Sequence, residues 1–129
     1  MSRSSKYGNR KIVLFGRTFD SKLEGNRYLV LREAAENGRI TDLELQPPFE
    51  LQPSFTDAAG KKHRAAHYVA DFRYTLPNGQ TIVEDAKGIE TDMFKLKIKL
   101  AIFAHPELAH QFRLVKRPNA AIPPRRKKQ

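Results

Sequence analysis

Two carboxylates and a lysine stand where a β-hairpin would gather them. Residues 67–74 and 80–88 are rich in β-branched and aromatic side chains and flank Leu76-Pro77-Asn78-Gly79, a turn sequence, which predicts a hairpin. Side chains alternate along a strand, so Asp85 and Lys87 project to one side and Glu84 and Ala86 to the other. Asp71 shares its face with Val69 and Arg73, while Tyr68, Ala70, Phe72 and Tyr74 form an apolar opposite face. If the hairpin joins Asp71 to Asp85, two partly desolvated carboxylates repel, and one takes up a proton unless a cation lies between them. A divalent metal with oxygen ligands removes that cost, and such a site suits Mg²⁺ or Mn²⁺. Lys87 is then placed to orient a water or to stabilise negative charge developing on a phosphate.

These residues carry a resemblance. Asp71, followed on the next strand by Asp85-Ala86-Lys87, resembles the PD-(D/E)xK nuclease signature, although Ala70 stands where the signature has proline. Glu24, on an upstream helix, resembles the extra acidic residue of many members. More closely, Phe19-Asp20-Ser21-Lys22-Leu23-Glu24, Leu45-Gln46-Pro47, Tyr68-Val69-Ala70-Asp71-Phe72 and Val83-Glu84-Asp85-Ala86-Lys87-Gly88 look like an uncharacterised phage and prophage group, DUF1064, placed in that superfamily. The similarity runs from about Phe19 to about Leu114. It implies a metal-dependent endonuclease in which Asp71 and Asp85 hold Mg²⁺ or Mn²⁺, Glu24 completes or seconds the coordination, and Lys87 positions the attacking water. The main-chain carbonyl of Ala86 is a further ligand open to such a site, backbone oxygens being competent hard ligands. Relatives that cut branched DNA act as homodimers, which implies a homodimer selective for branched DNA such as a Holliday junction. A phage or prophage origin implies the cytoplasm of a bacterial host.

The elements that must position these residues follow from the chain in order. Residues 12–19 form a short strand or extended lead-in around Gly16. A helix is predicted from Ser21 to about Glu36, closed by Asn37-Gly38. Glu24 has two explanations within it. Ser21-x-x-Glu24 is a capping box, in which the glutamate bonds back to the cap. Yet Glu24 also heads a stripe with Tyr28, Leu31 and Ala35 that points inward, as a metal or metal-water ligand would. Leu43-Glu44-Leu45-Gln46 alternates and reads as a strand ended by Pro47-Pro48, with Gln46 either leaning into the site or serving as an edge amide. Lys61, Lys62 and Arg64 follow in a polar loop that can reach phosphates or simply be solvated.

Thr91-Asp92 offers an N-cap for a helix through about Ala104. Residues 94–100 alternate apolar and lysine with period two, the template of a strand. Length and the lack of turn signals favour a helix, as does the resemblance. On it Lys95 and Lys99 share a face and Lys97 lies off it, forming either a phosphate contact or a solvated face. Residues 112–115 are predicted to be a final strand parallel to its neighbour, since a helix precedes it. The order helix, three or four strands, helix, strand predicts an α/β fold: a single mixed β-sheet flanked by helices, which the resemblance sharpens to a restriction-endonuclease-like αβββαβ core.

The 129 residues carry a formal charge of +10, and its placement is informative. Residues 1–11 hold four basic side chains and no acid, and residues 116–129 hold six and no acid, so the span between is formally neutral. This divides the chain into a basic N-terminal arm (1–11), a nuclease-like domain (12–116) and a basic tail (117–129) expected to be disordered without a partner. Basic arms on a neutral body suit attachment to a polyanion, with Arg125, Arg126, Lys127 and Lys128 as DNA contacts. No apolar stretch approaches a membrane span, and no signal peptide is recognisable. With no cysteine, disulfides and thiolate zinc sites are excluded. Two other classes fit parts of the pattern: a non-catalytic nucleic-acid-binding accessory protein on a nuclease-like fold, and a small basic ribosome-associated protein. The complete Asp71, Asp85, Lys87 set argues against the first, and the neutral body against the second.

Overall fold

The structure, a computed structural model, describes residues 11–123. A hairpin of β1 (Ile12–Leu14) and β2 (Arg17–Phe19) leads into helix α1 (Lys22–Glu36). Ser21 caps α1, its Oγ accepting from the Glu24 N–H at 3.1 Å. Gly38, at φ +75°, turns the chain out of the helix in a conformation that costs glycine little. The strands β3 (Thr41–Leu45), β4 (Pro48–Gln52), β5 (Phe55–Thr56), β6 (Lys62–His63), β7 (Ala66–Val69), β8 (Phe72–Thr75) and β9 (Thr81–Ala86) follow. Helices α2 (Asp92–Ala104) and α3 (Leu108–Gln111) and strand β10 (Phe112–Val115) complete the described chain.

Four strands form a mixed sheet in the order β10-β9-β8-β3, with β10 parallel to β9 and the other pairs antiparallel. The parallel pair requires a crossover, which α2 and α3 supply. Taking α1, α2 and the sheet strands alone, the order is α1, β3, β8, β9, α2, β10, the αβββαβ arrangement. The pairs β1-β2, β4-β7 and β5-β6 are separate two-stranded sheets, so the protein holds more than the one sheet expected.

The mixed sheet is buried on both faces. Tyr28, Leu31 and Ala34 of α1 pack with Phe72, Tyr74 and Ile82 on one side. Phe94 and Ala101 of α2 pack with Phe49, Tyr68 and Val83 on the other. Successive residues of β9 therefore enter different cores, which makes it a nearly continuous buried run.

Two segments depart from expectation. The predicted strand 67–74 is broken at Ala70 and Asp71, because its halves have different partners: β7 pairs with β4, and β8 joins the mixed sheet. Residues 118–122, placed by composition in a disordered tail, are held against the body. Arg27 Nη1 donates to the carbonyls of Pro118 and Ala120 at 2.9 and 2.6 Å, Arg113 donates to that of Ala121 at 2.8 Å, and Ile122 packs on the α1 core. Arg125, Arg126, Lys127 and Lys128, and the N-terminal arm through Arg10, lie outside the described residues. Among the described residues no helix is long and apolar enough to cross a membrane.

Candidate active site

Strand register brings the two carboxylates together. The β8–β9 pairs are Thr75 with Thr81, Tyr74 with Ile82, Arg73 with Val83 and Phe72 with Glu84. The next position outward is Asp71 opposite Asp85, where directly facing side chains stand about 5 Å apart. The connecting loop fixes this register: Leu76 N–H donates to the Gln80 carbonyl, and Gly79, at φ +89°, donates to the Leu76 carbonyl. A one-residue slip would turn Asp85 to the other face of the sheet.

Main-chain bonds hold Asp71 although it lies outside both strands. Its N–H donates to the Glu84 carbonyl at 3.1 Å, and its carbonyl accepts from the Gln46 N–H at 2.8 Å. Ala70 N–H reaches the Pro47 carbonyl at 3.1 Å. Gln46 sits at φ +55°, a left-handed conformation that costs a non-glycine residue about 1 kcal/mol. Its side chain is exposed; what it gives the site is its amide.

The Asp71 Oδ2 accepts from the Ala86 N–H at 2.8 Å, so the contact Ala86 makes with the pair is through its amide. Asp85 is 1% exposed. Its Oδ2 accepts from the hydroxyl of buried Tyr68, whereas its Oδ1 is buried without a hydrogen-bond donor. A buried polar atom left in this state costs on the order of 1–3 kcal/mol. Burial, and then the facing Asp85, push the Asp71 carboxyl up to about 9. A proton on Asp71, or a cation between the two groups, relieves the repulsion. Burial and the tyrosinate charge that would face Asp85 hold the Tyr68 hydroxyl protonated, so it remains a donor. Lys87, with a 40% exposed side chain, places Nζ 3.9 Å from that bare Asp85 Oδ1 and 5.4 Å from the Phe94 ring.

For Glu24 the structure shows the serine cap but no bond from its carboxylate back to the Ser21 amide. The glutamate follows the capping serine, yet it is buried and close enough to Asp85 and Lys87 to feel both charges. Burial and the charge of Asp20 raise its pKa, with the Asp20 main chain acting in the opposite direction. Among the described residues no group of three or more His, Asp or Glu side chains is arranged to hold a metal ion.

The neighbouring carboxylate, Glu84, is treated differently. Arg27 grips it through Nε at 2.8 Å and Nη2 at 2.7 Å, with both side chains 0% exposed. The Tyr74 hydroxyl also donates to it, and Arg113 lies 3.6 Å away. Burial works against the Arg27 charge, but the hydrogen bonds and charge of Glu84 outweigh it and raise its pKa. Sequence reasoning left out this cluster and the role of Tyr68. A signal was present: Arg27 falls in the inward stripe of α1, and Glu84 in a strand of otherwise apolar character, so each charge demanded a buried partner.

The basic residues expected to contact DNA lie on other elements than the two carboxylates. Lys61, Lys62 and Arg64 are exposed on or beside the β5–β6 hairpin, which His63 stiffens by bonding Asp57 at 2.8 Å and stacking on Phe55. Lys95, Lys97 and Lys99 are exposed on α2. The fold and site thus define an α/β protein that presents two facing carboxylates and a lysine from one hairpin of a mixed sheet. The chain belongs to the DUF1064 family, described as a protein of unknown function, whose pattern matches residues 4–118. Comparison with curated proteins and with solved structures found no match.

Proposed function

We propose that the protein is a metal-dependent endonuclease of the PD-(D/E)xK kind that hydrolyses DNA phosphodiesters, with branched DNA as the preferred substrate. The observation that carries this reading is the bare, buried Oδ1 of Asp85, facing Asp71 and 3.9 Å from Lys87 Nζ. An unpartnered carboxylate oxygen beside a second carboxylate fits a hard divalent cation such as Mg²⁺ or Mn²⁺. Asp71 and Asp85 would hold it, and Glu24 would complete or second the coordination. When bound, the cation supplies Lewis-acid stabilisation of the phosphate and lowers the pKa of water.

The chain's own groups then have distinct tasks. Lys87 directs a water toward phosphorus and stabilises the negative charge that builds there. A bond forms between the water oxygen and phosphorus as that water gives a proton to solvent, the bond from phosphorus to the leaving sugar oxygen breaks, and that oxygen takes up a proton from solvent. Exposed Lys61, Lys62, Arg64, Lys95, Lys97 and Lys99 hold the backbone of the nucleic acid by charge, as do the terminal basic residues. A homodimer is part of the proposal. Met93, Leu96, Leu100 and Phe103 line up on the outer face of α2, and their 3-4-3 spacing is that of a helix seam. Two copies related by a two-fold axis would offer two sites to strands of opposite polarity. A bacterial cytoplasm under phage or prophage infection is the setting in which such an enzyme would act.

The test is cleavage of a labelled four-way junction and its matching linear duplex with Mg²⁺, Mn²⁺, Ca²⁺ or EDTA, for the wild type and Lys87→Ala. The expected outcome is cutting with Mg²⁺ or Mn²⁺, strongest on the junction, and lost in the variant while binding persists. Salt-sensitive binding without cutting under any metal would reject the enzyme and favour a non-catalytic nucleic-acid-binding accessory protein.

A further inference from the structure

We propose that Tyr68 is a positioning residue that makes Asp85 a one-oxygen ligand and so biases the site toward a small octahedral cation of the Mg²⁺ class over Ca²⁺. The inference rests on the reading of Asp71 and Asp85 as a metal site and adds the residue that sets its preference among divalent cations.

The two carboxylates are prepared in the same way. Asp85 gives Oδ2 to the Tyr68 hydroxyl and keeps Oδ1 bare; Asp71 gives Oδ2 to the Ala86 N–H. Each acid therefore has one oxygen taken by a protein donor. Ca²⁺ binds six to eight oxygens and readily takes both oxygens of one carboxylate, whereas Mg²⁺ demands an octahedron, keeps several waters and uses one or two carboxylates. An Asp85 limited to one free oxygen, beside an Asp71 with one oxygen held by an amide, fits the second pattern.

Tyr68 is also held so that its hydroxyl cannot swing away. It is 3% exposed, and it pairs with Phe49 across the β4–β7 ladder with ring centroids 6.2 Å apart. The break in the chain at Ala70 and Asp71 gains a purpose from this. It lets β7 leave the mixed sheet and bring Tyr68 to the α2 side of β9, on Asp85, while Phe72 and Tyr74 go to the α1 core.

The experiment measures Mn²⁺ binding to the full chain by electron paramagnetic resonance without nucleic acid, with Mg²⁺ or Ca²⁺ as competitor, for the wild type and Tyr68→Phe. Freeing Oδ2 is expected to move the Ca²⁺-to-Mg²⁺ competition ratio about tenfold toward Ca²⁺, the low end of what changes beside a metal ligand produce. A ratio unchanged in the folded variant overturns the proposal, as does an equal weakening of all three cations, which is what a merely structural role predicts. If Tyr68→Phe does not fold, Phe49→Leu loosens the same ring without removing a polar atom and must shift the ratio in the same direction. Failure of the wild type to bind Mn²⁺ would reject the metal site itself and this preference with it. A wild type that binds Mn²⁺ beside a variant of unchanged ratio rejects the preference alone.

Discussion

Burial and the facing Asp85 hold a proton on Asp71 up to about pH 9, whereas in the unfolded chain the same carboxyl ionises near 3.8. Between those values the folded state binds the proton that the unfolded state releases. The stability this contributes is fully present below the unfolded value and is lost as pH rises toward 9, by up to about 1.4 kcal/mol per pH unit. The metal-free protein should therefore lose stability relative to Asp71→Asn as pH rises from 5 to 9. Asparagine can still accept the Ala86 amide, and the shared background of other charges cancels in the comparison. Denaturant melts of both proteins at several pH values check it. Parallel curves would mean that Asp71 does not carry the proton. Mn²⁺ should restore the wild type and leave the variant little changed, because only an intact pair gains from the cation.

The hairpin that carries Asp71 and Asp85 could be read from sequence because its turn and alternation are local. The cap at Ser21 and the stop at Gly38 are local as well, and both stand where their residue types predict. Less visible was anything joining distant segments. Arg27 and Glu84 are 57 residues apart, and the carbonyls of Pro118 and Ala120 belong to a stretch whose proline and basic composition gives no hint of an anchor. Helix α2 misled for another reason. Phe94, Ile98 and Ala101 face the body while Met93, Leu96 and Leu100 face outward, so apolar residues on two sides of one helix produce the period of a strand. The Arg27 junction gives the prediction at this scale. Arg27→Met keeps the apolar stem but leaves Glu84 short of its main cation and two carbonyls without a donor. It should cost about 3–5 kcal/mol in urea unfolding, a large part of the stability of a domain this size. A loss under 1 kcal/mol would mean that Arg113 and Tyr74 satisfy Glu84 alone.

For the whole molecule, the outer face of α2 is where the proposed dimer would form. Phe103 is 85% exposed and Met93 61%. If these residues form the seam between copies, Phe103→Glu should convert a dimer into a monomer in sedimentation at micromolar concentration, with the fold intact by circular dichroism. A wild type that sediments as a monomer would remove the dimer from the proposal and leave the chemistry of a single site untouched. Across the sheet the molecule also carries its own control. Glu84 and Asp85 are successive residues of one strand, both buried, with side chains on opposite faces. On the α1 face the chain surrounds its carboxylate with two arginines and a tyrosine; on the α2 face it supplies one tyrosine and stops, with a lysine ammonium 3.9 Å off. The fold is able to neutralise a buried acid completely, and it does so one residue away. On the proposed reading, the charge left over at Asp85 is what a cation arriving from solution would neutralise.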